Sequence, residues 1–256
     1  MLLPAMIIAG INIQSNWSKR VYHSRLFAQT LKLTGAKIIH FLGDSHTEMF
    51  QYIARQYLWL HTRFEFSIVQ GGTAMGLVHP KSQTQALSVF SNYIQKISKK
   101  DGLFFCIGEV DCGFLIWYRS HKYGVPVDEQ FQLSIHNYLT FLDSVEQQGF
   151  ANISICSIPL PTILDDRDWG EVANLRKEVK TTIKERTELT IKYNQQLRIH
   201  CQNKNWGFLD FEKDILDPQT GLIDHRFRHP NPLNHHLNEK TVAPLLVAKL
   251  KSYGYW

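Results

Sequence analysis

The sequence predicts an α/β fold, a three-layer α/β/α sandwich on a five-stranded parallel sheet. Short β-rich runs recur along the chain, each closed by a turn containing Gly or Pro and each followed by a longer stretch with helical apolar spacing. Strands joined through helices run parallel, and the helices must then cover both faces of the sheet. The 256 residues, 44% apolar and 20% charged, suit a single domain with a sizeable core and exclude collagenous and disordered classes.

The expected strands lie at 37–41, 64–69, 103–107, 152–158 and 206–211, with helices at 45–60, 82–99, 128–148, 171–204 and 239–253. The helix at 171–204 keeps an apolar stripe of Leu175, Val179, Ile183, Leu189, Tyr193 and Leu197 through many charges, which read as a solvated face. Asp217-Pro218-Gln219-Thr220-Gly221 reads as a turn. The apolar opening from Met1 to Ile11 has no basic leader and contains Pro4. It is about half the ~20 residues a membrane span needs. Residues 1–25 are expected to form an N-terminal arm of one domain spanning 1–256, with no membrane span.

Charge and cysteine usage narrow the partners. Lys and Arg total 28 against 23 Asp and Glu, a net +5 spread along the chain, so no nucleic-acid partner is expected. Cys106, Cys112, Cys156 and Cys201 are scattered without metal-knuckle or redox spacing. That pattern suits a reducing compartment and places the protein in the cytoplasm, with a secreted or periplasmic location as the alternative. Four of the 12 histidines, His225, His229, His235 and His236, crowd one short stretch. With Asp224 they compose a conceivable metal set, but Pro230 and Pro232 oppose a helix that would align them. Loop-borne histidines, no metal and no other cofactor are the expectation.

Reactive residues in open α/β sheets lie beyond the carboxyl ends of the strands, where loops converge and helix N-termini point N–H groups inward. After the first strand, Gly43-Asp44-Ser45-His46 places Ser45 at a helix start. There it is either a nucleophile favoured by the backbone N–H groups or part of a cap, with Asp44 or Ser45 answered by Glu48. The second strand ends in Gly71-Gly72-Thr73-Ala74-Met75-Gly76, whose glycines allow close backbone approach. The third ends in Gly108-Glu109-Val110-Asp111, two carboxylates that could share acid and base roles or hold loops. Near the last helix, His235 and His236 offer a base whose ordinary pKa is about 6.5.

Taken in order, these four strand-end segments resemble the blocks of the SGNH (GDSL-type) hydrolase superfamily. Gly43-Asp44-Ser45 is similar to its nucleophile block, Gly72 to its second-block glycine, Gly108-Glu109-Val110-Asp111 to its Gly-x-Asn-Asp block, and His236-Leu237-Asn238 to its histidine block. The Gly-Asp-Ser-His form is similar to SGNH domains associated with polysaccharide O-acylation. The resemblance implies a flavodoxin-like SGNH fold over about 37–250, with Ser45 as nucleophile, His236 as base and His235 as the near alternative. It makes the Ser45 and Gly72 N–H groups oxyanion donors, with Gly76 as fallback. The implied activity is that of a serine esterase or O-acyltransferase on a small-molecule or glycan ester. A glycan-binding protein of the same fold without hydrolysis is the alternative.

Two positions depart from the pattern. Val110 stands where the family's oxyanion Asn would be, leaving Thr73 or His46 to donate instead. Leu233 stands where the acid orienting the histidine would be. Asn234, Asn231, a backbone carbonyl or, with the loop folded back, Asp224 could hold the ring. Trp117, Tyr118 and Arg119 could line a sugar cleft or pack as a helix or loop edge, and Arg63, Lys81, Arg226 and Arg228 could favour an acidic glycan.

Overall fold

The computed structural model describes residues 37–254 except 58, 60, 166–178 and 180. The expected arm at 1–25 and the beginning of the helix expected at 171–204 lie outside the described residues. In chain order the main elements are β1 (Lys37–Gly43), α1 (Glu48–Gln56), β2 (Thr62–Ile68), α2 (Ala86–Ile94), β3 (Gly102–Cys106), α3 (Ile116–Tyr123), α4 (Val127–Gln147), β4 (Ile153–Cys156), α5 (Ile183–Lys204), β5 (Gly207–Leu209), α6 (Glu212–Ile215) and α7 (Glu239–Ser252). The five strands are parallel, in the order β2-β1-β3-β4-β5. Chain direction across the sheet reverses between β1 and β3, so their carboxyl ends flank a crevice.

Period-2 alternation sorts the strand residues between two cores. Ile39, Phe41, Phe104 and Cys106 meet Met49, Phe50 and Ile53 of α1 and Val242, Leu246 and Leu250 of α7. Leu42, Leu103 and Phe105 meet Phe90 of α2, Phe131, Tyr138 and Leu142 of α4, and Tyr193 and Leu197 of α5. His40 points into the second side yet is satisfied there, between Tyr93 Oη at 2.8 Å and Asp101 Oδ2 at 3.1 Å.

Three differences from the expected elements have local causes. α5 starts at Ile183 because Thr182 closes a capping box: its hydroxyl accepts from Glu185 N–H, and Glu185 Oε2 accepts from Thr182 N–H at 2.7 Å. Its charges are not all solvated, since Arg186 is buried and donates to Ile163 O at 2.8 Å. An unexpected helix, α3, continues from a wide turn at Asp111–Leu115 and stops at Gly124, whose φ of 64° is the left-handed conformation glycine adopts freely.

One contact fixes the spacing of β1 and β3. A Cβ on Gly43 would lie 2.0 Å from Cys106 O and 2.3 Å from Thr47 Oγ1. Gly43→Ala is therefore expected to destabilise the fold by at least about 1–3 kcal/mol, because the obstacle is backbone that must move. Urea unfolding of the variant beside the wild type measures the loss.

Candidate active site

The end of β1 turns directly into the site. Asp44 N–H donates to Cys106 O at 3.1 Å, and Thr47 Oγ1 donates to the same carbonyl at 3.3 Å. The intervening residues Ser45–Thr47 make one tight helical turn, capped by Asp44, whose Oδ1 accepts from His46 N–H at 2.9 Å. Asp44 is the cap and Glu48 does not complete a box with it; Glu48 Oε1 accepts instead from Gln70 at 2.7 Å. Ser45 thus stands at the N-terminus of the turn leading into α1, and its N–H meets no acceptor among the described residues.

The C-terminal loop brings His236 to the same place. Ser45, His46, Asn234 and His236 line one hollow of about 320 Å³, together with Tyr52 and Arg55 of α1 and with His229 and Glu239. His235 is not part of that lining. Asn234 Oδ1 accepts from His236 backbone N–H at 2.9 Å and lies 2.9 Å from His236 Nδ1. An atom that accepts the backbone N–H is the amide oxygen, so Nδ1 carries the ring proton and Nε2 is the basic nitrogen. Of the four orienting groups considered from sequence, Asn234 holds the ring. Asp224 is bound to Arg226 instead, which holds its carboxyl down at about 2. Leu233, at the position of the missing acid, is 60% exposed. Thr162 Oγ1 fixes the loop by donating to His235 O.

The two carboxylates after β3 have separate surroundings. Asp111 is fully buried and accepts from Ala74 N–H at 2.7 Å, Met75 N–H at 3.0 Å and Ser134 Oγ at 2.8 Å. Burial pushes its carboxyl up to about 6, against the pull of those three donors. Asp111 is a clamp between the glycine-rich turn and α4, with no face toward the hollow. Glu109 is buried with Oε2 3.8 Å from His46 Nδ1, and Asp44 Oδ1 lies 3.4 Å from the same nitrogen.

The glycine-rich turn is not arranged as the resemblance implies. Gly72 N–H is committed to Val69 O at 2.9 Å, and Gly76 N–H to Thr73 O and Oγ1 at 3.1 and 3.0 Å. Thr73, Gly76 and Val110 line a different hollow, of about 550 Å³, with Lys81 and Arg119. His46, rather than Thr73, is the side chain that shares Ser45's hollow. Trp117 packs against the core with its indole N–H on Cys112 O. Arg63 pairs with Glu65, and Arg228 holds Thr162 O. The lining residues Tyr52 and Arg55 were not singled out from sequence, although they sit seven and ten positions beyond Ser45, on the face of α1 that a helical count from the serine marks.

No family model matches the chain, and no curated protein does. Solved structures do. A GDSL-like lipase from Bacteroides thetaiotaomicron aligns over 90% of this chain and 97% of its own at 11% identity and a TM-score of 0.50. The fold is that of the SGNH/GDSL hydrolases. A Streptococcus pneumonia protein provisionally described as a platelet activating factor aligns over 90% of this chain and 92% of its own, at 17% identity and a TM-score of 0.53. A gut microbial diltiazem-metabolizing enzyme aligns over 84% of this chain and 47% of its own, at 15% identity and a TM-score of 0.54. Within this SGNH/GDSL architecture the Ser45 turn, the glycine-rich turn, the Asp111 segment and the His236 loop all occupy the carboxyl end of the sheet. No described helix is long and apolar enough to cross a membrane.

Replacing Asp111 by Ala strands two buried backbone N–H groups and leaves the Ser134 hydroxyl with Tyr193 Oη, at 3.0 Å, as its remaining partner. Each unsatisfied group costs about 1–3 kcal/mol. Asp111→Ala is expected to lower the denaturation midpoint far more than Ser134→Ala, which removes one donor and leaves the two N–H bonds in place; paired urea titrations read the difference.

Proposed function

We propose that the protein is a serine esterase or O-acyltransferase working through Ser45 and His236. The observation that carries this reading is the shared hollow: a serine at a helical N-terminus and a histidine whose tautomer is set by Asn234 so that Nε2 is basic. Ser45 Oγ attacks the ester carbonyl while His236 Nε2 takes its proton, and the tetrahedral oxyanion is met by Ser45 N–H. Collapse breaks the ester C–O bond, His236 returns the proton to the leaving alcohol, and an acyl-Ser45 remains. Water, or a second hydroxyl, then attacks that acyl group with His236 taking its proton, and the proton finally returns to Ser45 Oγ.

The chemistry is slower than in a complete site. Val110 supplies no side-chain donor, and loss of one oxyanion donor costs about 2.7–4 kcal/mol, or 10²–10³ in rate. Asn234 fixes the imidazole but stabilises an imidazolium less than a carboxylate does. An O-acylated carbohydrate is the proposed substrate class. The Gly-Asp-Ser-His sequence supports it, as do the polar and basic groups Ser82, Gln83, Lys81 and Arg119 along the neighbouring hollow.

With an activated acetyl ester, Ser45→Ala and His236→Ala are each expected to lower turnover by at least about 10³-fold. A fluorophosphonate is expected to label Ser45 in the wild type, read by peptide mass spectrometry. Turnover equal in all three proteins overturns the enzyme reading, and ligand affinity without labelling favours the glycan-binding alternative. Asn234→Ala is expected to lower kcat by about 10–100-fold, while Asn234→Asp, which restores a carboxylate to the ring, retains or raises it.

A further inference from the structure

Three histidines meet beside Ser45 from opposite ends of the chain. One ring nitrogen from each of His46, His235 and His236 lies within 4.8 Å of the others. The ring centroids of His46 and His236 are 4.6 Å apart, those of His235 and His236 4.2 Å, and those of His46 and His235 5.6 Å. This is not the set the sequence suggested. The His225 side chain is 89% exposed beside Asp224, and His229 faces Glu239 at 4.0 Å.

We infer that His46, His235 and His236 form a binding site for one divalent transition-metal ion of the zinc class, and that occupying it withdraws His236 from catalysis. Imidazole nitrogen suits such ions, and three protein ligands with one position left to solvent is a common arrangement for zinc. Tetrahedral ligation at about 2.0–2.1 Å puts nitrogens about 3.4 Å apart, so ligation requires the three ring nitrogens, now within 4.8 Å of one another, to close to that spacing.

The surroundings are those that orient metal-binding histidines. Such ligands place their second ring nitrogen on a carboxylate, carbonyl or similar acceptor, which fixes the tautomer and raises ligand basicity. His236 Nδ1 lies on Asn234 Oδ1, directing ligation through Nε2. His46 Nδ1 stands 3.4 Å from Asp44 Oδ1 and 3.8 Å from Glu109 Oε2, close to both carboxylates without a hydrogen bond to either. Those two buried carboxylates also offset the charge an incoming cation brings. The His235 backbone is pinned by Thr162. Access is through the hollow that His46 and His236 line with Ser45. A nitrogen donating its lone pair to a metal cannot take the Ser45 proton, so ligation and the proposed acyl transfer exclude one another. This inhibitory consequence rests on the esterase reading; the binding site itself does not.

The test is titration of the full-length, chelator-treated protein with cobalt(II), followed by visible absorption, with zinc as competitor. One equivalent is expected to bind with the intense absorption of four-coordinate cobalt, and zinc is expected to displace it. His235→Ala and His46→Gln, which lie in different elements, are each expected to weaken binding by more than tenfold. Asn234→Ala is expected to weaken it by about 10–100-fold through loss of ring orientation. Ser45→Ala and His225→Ala are expected to bind as the wild type does. Ester turnover of the wild type is expected to fall in step with zinc occupancy and to return with chelator. Absence of stoichiometric cobalt absorption in the wild type overturns the site, as does wild-type affinity in His235→Ala and His46→Gln. Loss of binding in His225→Ala assigns the ion to the outer loop and also overturns it. Cobalt binding by a wild type that hydrolyses no ester overturns the esterase reading alone, and turnover unaffected by a bound ion overturns the inhibition.

Discussion

The carbonyl of Cys106 organises the site. It ends β3, and it receives both Asp44 N–H and the Thr47 hydroxyl from the turn that follows β1. Only a residue without a side chain at position 43 lets β1 come this close. A carbonyl at the end of a parallel strand would otherwise need water or a loop as partner. Here it is satisfied by the segment carrying Ser45, so satisfying the sheet edge and posing the serine are one event. The Asp44 cap completes the turn by fixing His46 N–H.

The architecture was legible because burial imposes period and length on each segment. Ile39 and Phe41 alternate with His40 and Leu42 as a parallel strand covered on both sides requires, and the apolar spacing of α4 and α7 follows from packing on one face. Boundaries were less legible where a side-chain bond decided them, as at Thr182 and Glu185. α3 was not legible because its eight residues, Ile116–Tyr123, are too few to show an apolar period, while its stop signal, Gly124, is visible only once a helix is posited.

The site was legible in its residue types but not in its pairings. Asp44, Ser45 and the His235-His236 pair can be placed from the strand ends, while the choice of His236 rests on the family resemblance. The commitment of the Gly72 and Gly76 N–H groups to Val69 and Thr73 cannot, because it depends on how a glycine turn closes rather than on its composition. Nor could the sequence choose among Asn231, Asn234 and Asp224 as holder of the imidazole. Asp224 is captured by its neighbour Arg226, two residues away, and Asn234 reaches a ring two residues ahead through a local turn. Short-range capture won at both positions because it costs little chain entropy. His46, by contrast, gains its meaning only from tertiary contact with a loop almost two hundred residues away.

The Asp111 clamp has a consequence for how this end of the molecule opens. The glycine-rich turn has no sheet partner to protect it, and turns of that kind ordinarily exchange their amide hydrogens with solvent through small local fluctuations. The amides of Ala74 and Met75 are instead held by a carboxylate rooted at the start of the segment leading to α3 and tied through Ser134 to α4. Releasing them means exposing a buried carboxylate and parting two elements at once. Through Asp111 the turn is tied to α4, so that a loop in outline is held like part of the same cooperative unit.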